Sequence, residues 1–181
     1  MATDNSPKVN PRTIRMLQSE NPASVTEAVE EIQESGNVAY LPALLDRLVS
    51  ATDEGIRKSI TGLLGGLKHR EVIPVLMSAI QEHRYAGELR TLVSVCWENG
   101  LDYSEYLSVF VDLVIEKEFL VAFEAYTVIM NMTGKISNAV HERESQKIKQ
   151  ALQAEDNNKS DLLQDLLDFL SGLEEGIEPA Y

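Results

Sequence analysis

The residues of this chain that could do chemistry are few, and their spacing decides how far each can be taken. Histidines stand at His69, His83 and His141. A helical zinc site needs two histidines one turn apart with a glutamate beside the first, because both imidazoles must face one metal. His141-Glu142 has no second histidine at that spacing, so no metal is expected. His69 sits in Lys68-His69-Arg70, at the expected C-terminal end of a helix, where a cation interacts favourably with the helix dipole. Cys96 is the single cysteine, which excludes an internal disulfide and a Cys-based zinc site within one chain. It shares an apolar stripe with Leu89, Leu92 and Val93, the setting of a small buried hydrophobe rather than a nucleophile. There is no GxSxG, P-loop or GxGxxG, and Gly62 to Gly66 (GLLGG) lacks the Lys and Ser or Thr of a phosphate loop. No catalytic residue and no cofactor is expected.

Other residues carry charge or aromatic surface. Glu27, Glu30, Glu31 and Glu34 fall opposite the Val25–Ile32 stripe and read as a solvated helix face. LQDLL at Leu163 to Leu167 has the spacing of an LxxLL docking motif, which any leucine-rich amphipathic helix shares. Trp97, the only tryptophan, lies one position off the Cys96 stripe. Phe119, Phe123 and Tyr126 make an aromatic line on a helix that is apolar nearly all round, with Leu120, Val121, Val128 and Ile129 off the main stripe. Such a helix is either central in its stack or turned toward a partner.

The totals bound the functions these residues can serve. A chain of 181 residues buries roughly 70% of the surface its unfolded form exposes. A formal net charge of −13 disfavours nucleic acid and anionic membrane surfaces, both of which need clustered Lys and Arg. It suits a basic partner, or solubility alone. The acidity peaks at the end, with eight acidic residues against one Lys from Glu155 to Tyr181. The first thirty residues hold no apolar run of the signal-peptide kind, no run approaches a membrane span, and a cytoplasmic location is expected.

Helices are what must position these residues. The N-terminal segment, 1–22, opens on polar MATDNSPK; Asn10-Pro11 then has the form of an N-cap followed by Pro at the first helical position, before a short helix with Ile14 and Leu17. Ser24-Val25-Thr26-Glu27 fits a capping box, and Gly36 a helix C-terminus. Leu41, Leu44, Leu45, Leu48 and Val49 follow the i, i+3, i+4, i+7, i+8 pattern of one buried face, with Pro42 in the first turn. Asp53 begins the next helix, whose stripe is Ile56, Ile60, Leu63, Leu64 and Leu67. The phrase returns with Ile73, Leu76, Met77 and Ile80, then Leu89 to Cys96. A third pair follows an Asp102 cap, with Tyr103 to Val114 and Phe119 to Met132. Pro42 and Pro74 are 32 residues apart, and Gly66, Gly100 and Gly134 repeat every 34. A fixed period of this size with two helices per unit is the mark of a helical repeat array. Residues 135–173 form two further helices of capping character; the first has only Val140, Ile148, Ala151 and Leu152 as a thin stripe, and Ser160 caps the second. An acidic tail, expected to be flexible, occupies 174–181.

The array at 23–134 resembles HEAT-like and armadillo-like helical repeats. "LPALLDRL" and "VIPVLMSAI" are similar to the family's first-helix phrase, and "DEGIRKSITGLLGGL" to its second. The third pair departs from the phrase: Leu107 stands where Pro would, and FLVAFEAY carries no Arg. The resemblance implies an all-α, right-handed α-α superhelix of about three to four helical pairs. It implies that Arg57 and Arg90, 33 residues apart, occupy one repeat position and serve an inter-repeat polar ladder, with Asp53 at the matching acidic position. It also implies that second helices line a concave groove, which would bring Lys58, Arg90, Trp97, Glu124 and Tyr126 together as protein-binding residues. Aromatics and Arg are the types enriched at binding hot spots.

These readings lead to a non-catalytic protein-binding scaffold or adaptor, with another protein, basic in one variant, as partner. An acidic neutraliser or chaperone of a basic protein is that variant. A lyase-type enzyme, as some HEAT-like proteins are, is the alternative from a different class. A homodimer through the apolar third pair is a further expectation.

Overall fold

Every regular element among the described residues is helical, and the α-helices begin at a capping side chain or behind a turn. In a computed structural model of the chain, residues 9–154 and 158–175 are described, the last three as backbone alone. Helix α1 spans Pro11–Leu17, α2 Pro22–Ser35, α3 Leu41–Ser50, α4 Glu54–Gly66 and α5 Val72–Gln81. Helix α6 spans Leu89–Glu98, α7 Leu107–Glu116, α8 Phe119–Met130, α9 Asn138–Leu152 and α10 Ser160–Glu175. Short 3-10 turns at Val38–Tyr40, His83–Glu88 and Ser104–Tyr106 lead into α3, α6 and α7.

The starts are local chemistry. Asn10 Oδ1 accepts from Arg12 N at 2.9 Å, and Asp53 Oδ1 from Ile56 N at 2.9 Å, as their side-chain types require. The second helix departs from the capping-box expectation. It starts at Pro22, with Asn21 Oδ1 accepting from Ala23 N, so Ser24 already lies inside the first turn. Asn21-Pro22 repeats the Asn10-Pro11 signal three residues before Ser24, and proline adds no unsatisfied donor there. Gly36 ends α2 with φ +60°, a left-handed conformation that costs a residue without Cβ little.

The chain divides into two compact units, Met1–Asn99 and Gly100–Tyr181. In the first, α1, α3 and α5 pack in one row and α2, α4 and α6 in a second. Leu41, Leu44, Leu45 and Leu48 of α3 are buried, as the spacing requires, whereas Val49 points outward. Ile56, Ile60, Leu63 and Leu64 of α4 are buried too; Leu67 lies past the helix end and is half-buried. In the second unit, α7 packs on α8 and α9, while α10 packs on α8 and α9. Phe110 is fully buried, with the Tyr103 ring edge-on at 5.9 Å. Leu163, Leu166 and Leu170 of α10 complete this core.

Two sequence expectations change in the second unit. Asp102 does not cap α7, which starts five residues on. Its carboxylate instead accepts from Ser104 and from Thr133 N at 3.3 Å, tying the entry of α7 to the exit of α8. Burial pushes the Asp102 carboxyl up, but the bonds from Ser104, Thr133 and Gly134 outweigh it and hold it below the ordinary value. A Cβ on Gly134 would run into Asp102 and Ser104, so glycine is required there for close approach. The three glycines of the 34-residue series thus differ: Gly134 is a contact point, Gly100 turns the chain at φ +62°, and Gly66 is the last residue of α4 with open space beside it. The expected loose N-terminus falls on residues outside those described. Helix α10 runs as far as Glu175, two residues into the expected acidic tail, and the rest of that tail lies outside the described residues.

Candidate functional site

Eight of the twelve residues of α8 are aliphatic or Phe, and only Glu124, Tyr126 and Thr127 bring polar atoms beyond the backbone. Its N-terminus is held by Glu118, whose carboxylate accepts from Leu120 N at 2.8 Å and Val121 N at 3.1 Å. One face, Val121, Ala122, Ala125, Val128 and Ile129, is buried in the second unit. The other is not: Phe119 is 43% exposed, Leu120 48%, Phe123 47% and Met130 38%. Phe119 stacks on Phe123 with centroids 6.4 Å apart, and Phe123 on Tyr126 at 6.2 Å. The Tyr126 hydroxyl reaches Asp165 Oδ2 of α10 at 3.5 Å, and burial together with that carboxylate pushes its pKa up. Single exposed apolar residues are ordinary on a protein surface; four large ones on one face of a single helix are not.

The sequence singled out Tyr126 and Glu124 on this helix. Both are half-buried at its borders, while the residues presented outward are Phe119, Leu120, Phe123 and Met130. The signal available beforehand was the lack of any polar face on α8.

Lys58, Arg90 and Trp97 belong to the first unit. Lys58 is exposed on α4, Arg90 is exposed on α6, and Trp97 is 38% exposed on α6. Arg57, also in this unit, has a defined tertiary role. Its guanidinium donates to Leu48 O at 3.0 Å, to Ala51 O at 3.4 Å and to Glu88 Oε2 at 2.7 Å. The Glu88 bond holds its pKa above the usual value. Asp53 caps α4, so the acid on Arg57 is Glu88, 31 residues along the chain. A shallow cavity of about 320 Å³ opens between α3 and α5, lined by Pro42, Leu45, Pro74, Val75 and Tyr85. Tyr85 donates to Asp46 Oδ1 at 2.8 Å, and burial, then that bond, pushes its pKa up to about 12.

The remaining candidates resolve individually. Cys96 is buried and its thiol donates to Leu92 O at 3.3 Å. His69 lies three residues past the end of α4, exposed, and His83 is exposed in a 3-10 turn. His141 is buried, with Nε2 2.9 Å from Leu170 O. No group of three or more His, Cys, Asp or Glu among the described residues could hold a metal ion. Leu163 and Leu166 of the LxxLL-like run are core residues and Leu167 is half-buried.

Sequence reasoning missed a buried polar cluster on α9. Glu144 is fully buried; Oε1 accepts from Ser108 Oγ at 2.8 Å and from Arg143 Nε at 2.7 Å, and Oε2 lies 3.0 Å from Lys147 Nζ. Lys147 also donates to Asp112 at 2.7 Å. Burial pushes the Glu144 carboxyl up, but the bonds from Arg143, Ser108 and Lys147 outweigh it and leave it below the ordinary value. No letter pattern distinguished this glutamate from its solvated neighbours. Every cluster member has a partner inside the unit, so the cluster joins α7 to α9.

Comparison with protein-family models and with curated proteins finds no match to this chain. No helix among the described residues is long and apolar enough to cross a membrane.

Proposed function

We propose that this chain is a protein-docking module without catalysis of its own, assembled from HEAT-like helical pairs of an α-solenoid. The observation that carries the reading is the exposed apolar face of α8. Phe119, Leu120, Phe123 and Met130 there present large side chains to water that an isolated protein gains nothing by exposing. The two rows of helices in each unit, and the Arg57–Glu88 bridge from α4 to the start of α6, support the repeat reading. Trp97, with Lys58 and Arg90 in the first unit, is a second contact region in this proposal.

Capture of a partner from source-cell extract tests it. Immobilised chain is compared with Phe119→Ser/Phe123→Ser and with Trp97→Ala. Loss of a specific partner with the double serine variant is expected, and a smaller loss with Trp97→Ala. Equal recovery by all three chains would sink the proposal.

A further inference from the structure

The apolar face of α8 has a row of exposed carboxylates along one long edge and the half-buried Glu124 on the other, and we propose that its occupant is an amphipathic helix of another protein whose apolar side is flanked by Lys and Arg. This inference rests on the docking reading and names the partner's chemistry. At about 100° of rotation per residue, Phe119, Phe123 and Met130 lie in one narrow sector of α8, with Leu120 beside it. Glu124 borders the Leu120 edge and Tyr126 the opposite one. Because the Tyr126 hydroxyl contacts Asp165, the second edge runs along α10. Asp161 and Asp168, four residues before and three after Asp165, share its side of α10, and all three are exposed. Glu116, also exposed, stands just ahead of the N-terminus of α8.

The wider charge has the same sign. Residues 100–181 hold sixteen acidic and six basic residues, against thirteen and ten in residues 1–99. The basic residues that could soften this field are partly engaged. Arg143 and Lys147 sit on Glu144, and Lys159 Nζ donates to Ile115 O and Lys117 O. An apolar row within an acidic rim selects a ligand that is apolar along one side and positive beside it. The three turns of α8 present about 16 Å of row, long enough for i, i+3/i+4, i+7 and i+11 anchors on a docked helix. A second copy of this chain fits worse. A two-fold contact through α8 would set each α10 acidic edge against an equally acidic partner. An anionic membrane fails by the same sign.

Fluorescence anisotropy with full-length chain and three synthetic amphipathic peptides tests this. The peptides share one apolar face and differ only in flanking residues: Lys/Arg, Gln or Glu. The basic peptide is expected to bind about tenfold tighter than the Gln peptide, three rim charges each contributing modestly. That advantage is expected to fall within about threefold in Asp161→Asn/Asp165→Asn/Asp168→Asn and in about 0.5 M salt. Phe123→Ser is expected to weaken all peptides, with circular-dichroism melts showing that every variant folds. Equal binding of the Gln and Lys/Arg peptides would overturn the charge selection and leave the docking reading standing. So would absence of peptide binding alongside capture that depends on Phe119 and Phe123. A concentration-dependent dimer lost in Phe123→Ser would assign the face to a second copy instead. Absence of both peptide binding and capture would remove this inference and the docking reading together.

Discussion

Single residues in this chain matter most where a charge is buried. Glu144 is the clearest case, since donation from Ser108 and Arg143 and the nearby Lys147 ammonium compensate its complete removal from water. Glu144→Ala leaves Lys147 and Ser108 with a vacated site and is expected to cost about 3 kcal/mol, read by urea denaturation. The pH dependence has a definite sign. The folded carboxyl lies below its ordinary value of 4.5. Its contribution is therefore complete above that value and is lost as pH falls through the lower folded value. Glu144→Gln should accordingly flatten the fall of melting temperature below about pH 4.5 while lowering it near neutrality; an unchanged acid limb would refute this. Arg57 and Glu88 form a half-buried pair that also holds the carbonyl end of α3. A double-mutant cycle through Arg57→Ala and Glu88→Ala should give a coupling of about 1 kcal/mol, the upper end for an ion pair with some solvent access. These residues were legible to different degrees. Arg57 stood out because its phrase repeats, yet its acid is Glu88 rather than Asp53. Glu144 could not stand out, because burial of a glutamate is decided by which face α9 turns to α7.

At the scale of elements, the helices follow their punctuation and the exceptions follow tertiary contact. Asn10, Asn21 and Asp53 cap as their side chains dictate, so α1, α2 and α4 begin at cap residues. Asp102 is the counterexample, since Thr133 and Gly134, thirty-odd residues away, compete for it. Two glycine substitutions separate these regimes. Gly134→Ala drives a methyl into Asp102 and Ser104 and should destabilise by about 1–3 kcal/mol. Gly66→Ala meets open space at the end of α4 and should stabilise by about 0.5 kcal/mol. Thermal melts of the two variants should move in opposite directions; movement in the same direction would contradict the geometry. Helix α8 makes the complementary point. Its apolar letters leave core and partner-facing surface undecided, but Phe123 has water on one side, so Phe123→Ser should change stability by no more than about 0.5 kcal/mol while abolishing docking. A loss of several kcal/mol would mean that the face is core after all.

For the whole molecule, charge sets the behaviour. A net −13, weighted toward residues 100–181, repels itself in the folded state. Added salt up to about 0.3 M should therefore raise the melting temperature while weakening any basic ligand on α8. The two responses have opposite signs in one titration, which distinguishes screening of rim charges from general loosening of the fold. A melting temperature that falls with salt would instead show that ion pairs such as Lys147–Asp112 outweigh self-repulsion.

The sequence by itself determined that the chain is helical, because apolar residues recur at the helical period and caps and glycines punctuate them. It also determined most of the buried faces, since a stripe such as Leu41–Leu48 has only one side to hide. Tertiary structure decided what periodicity cannot carry: that Glu144 is inside, that Asp102 serves the exit of α8, and that Phe119 and Phe123 are outside. Each of these depends on which neighbour covers a face, and a helix that is apolar all round does not specify in its own letters which side that will be.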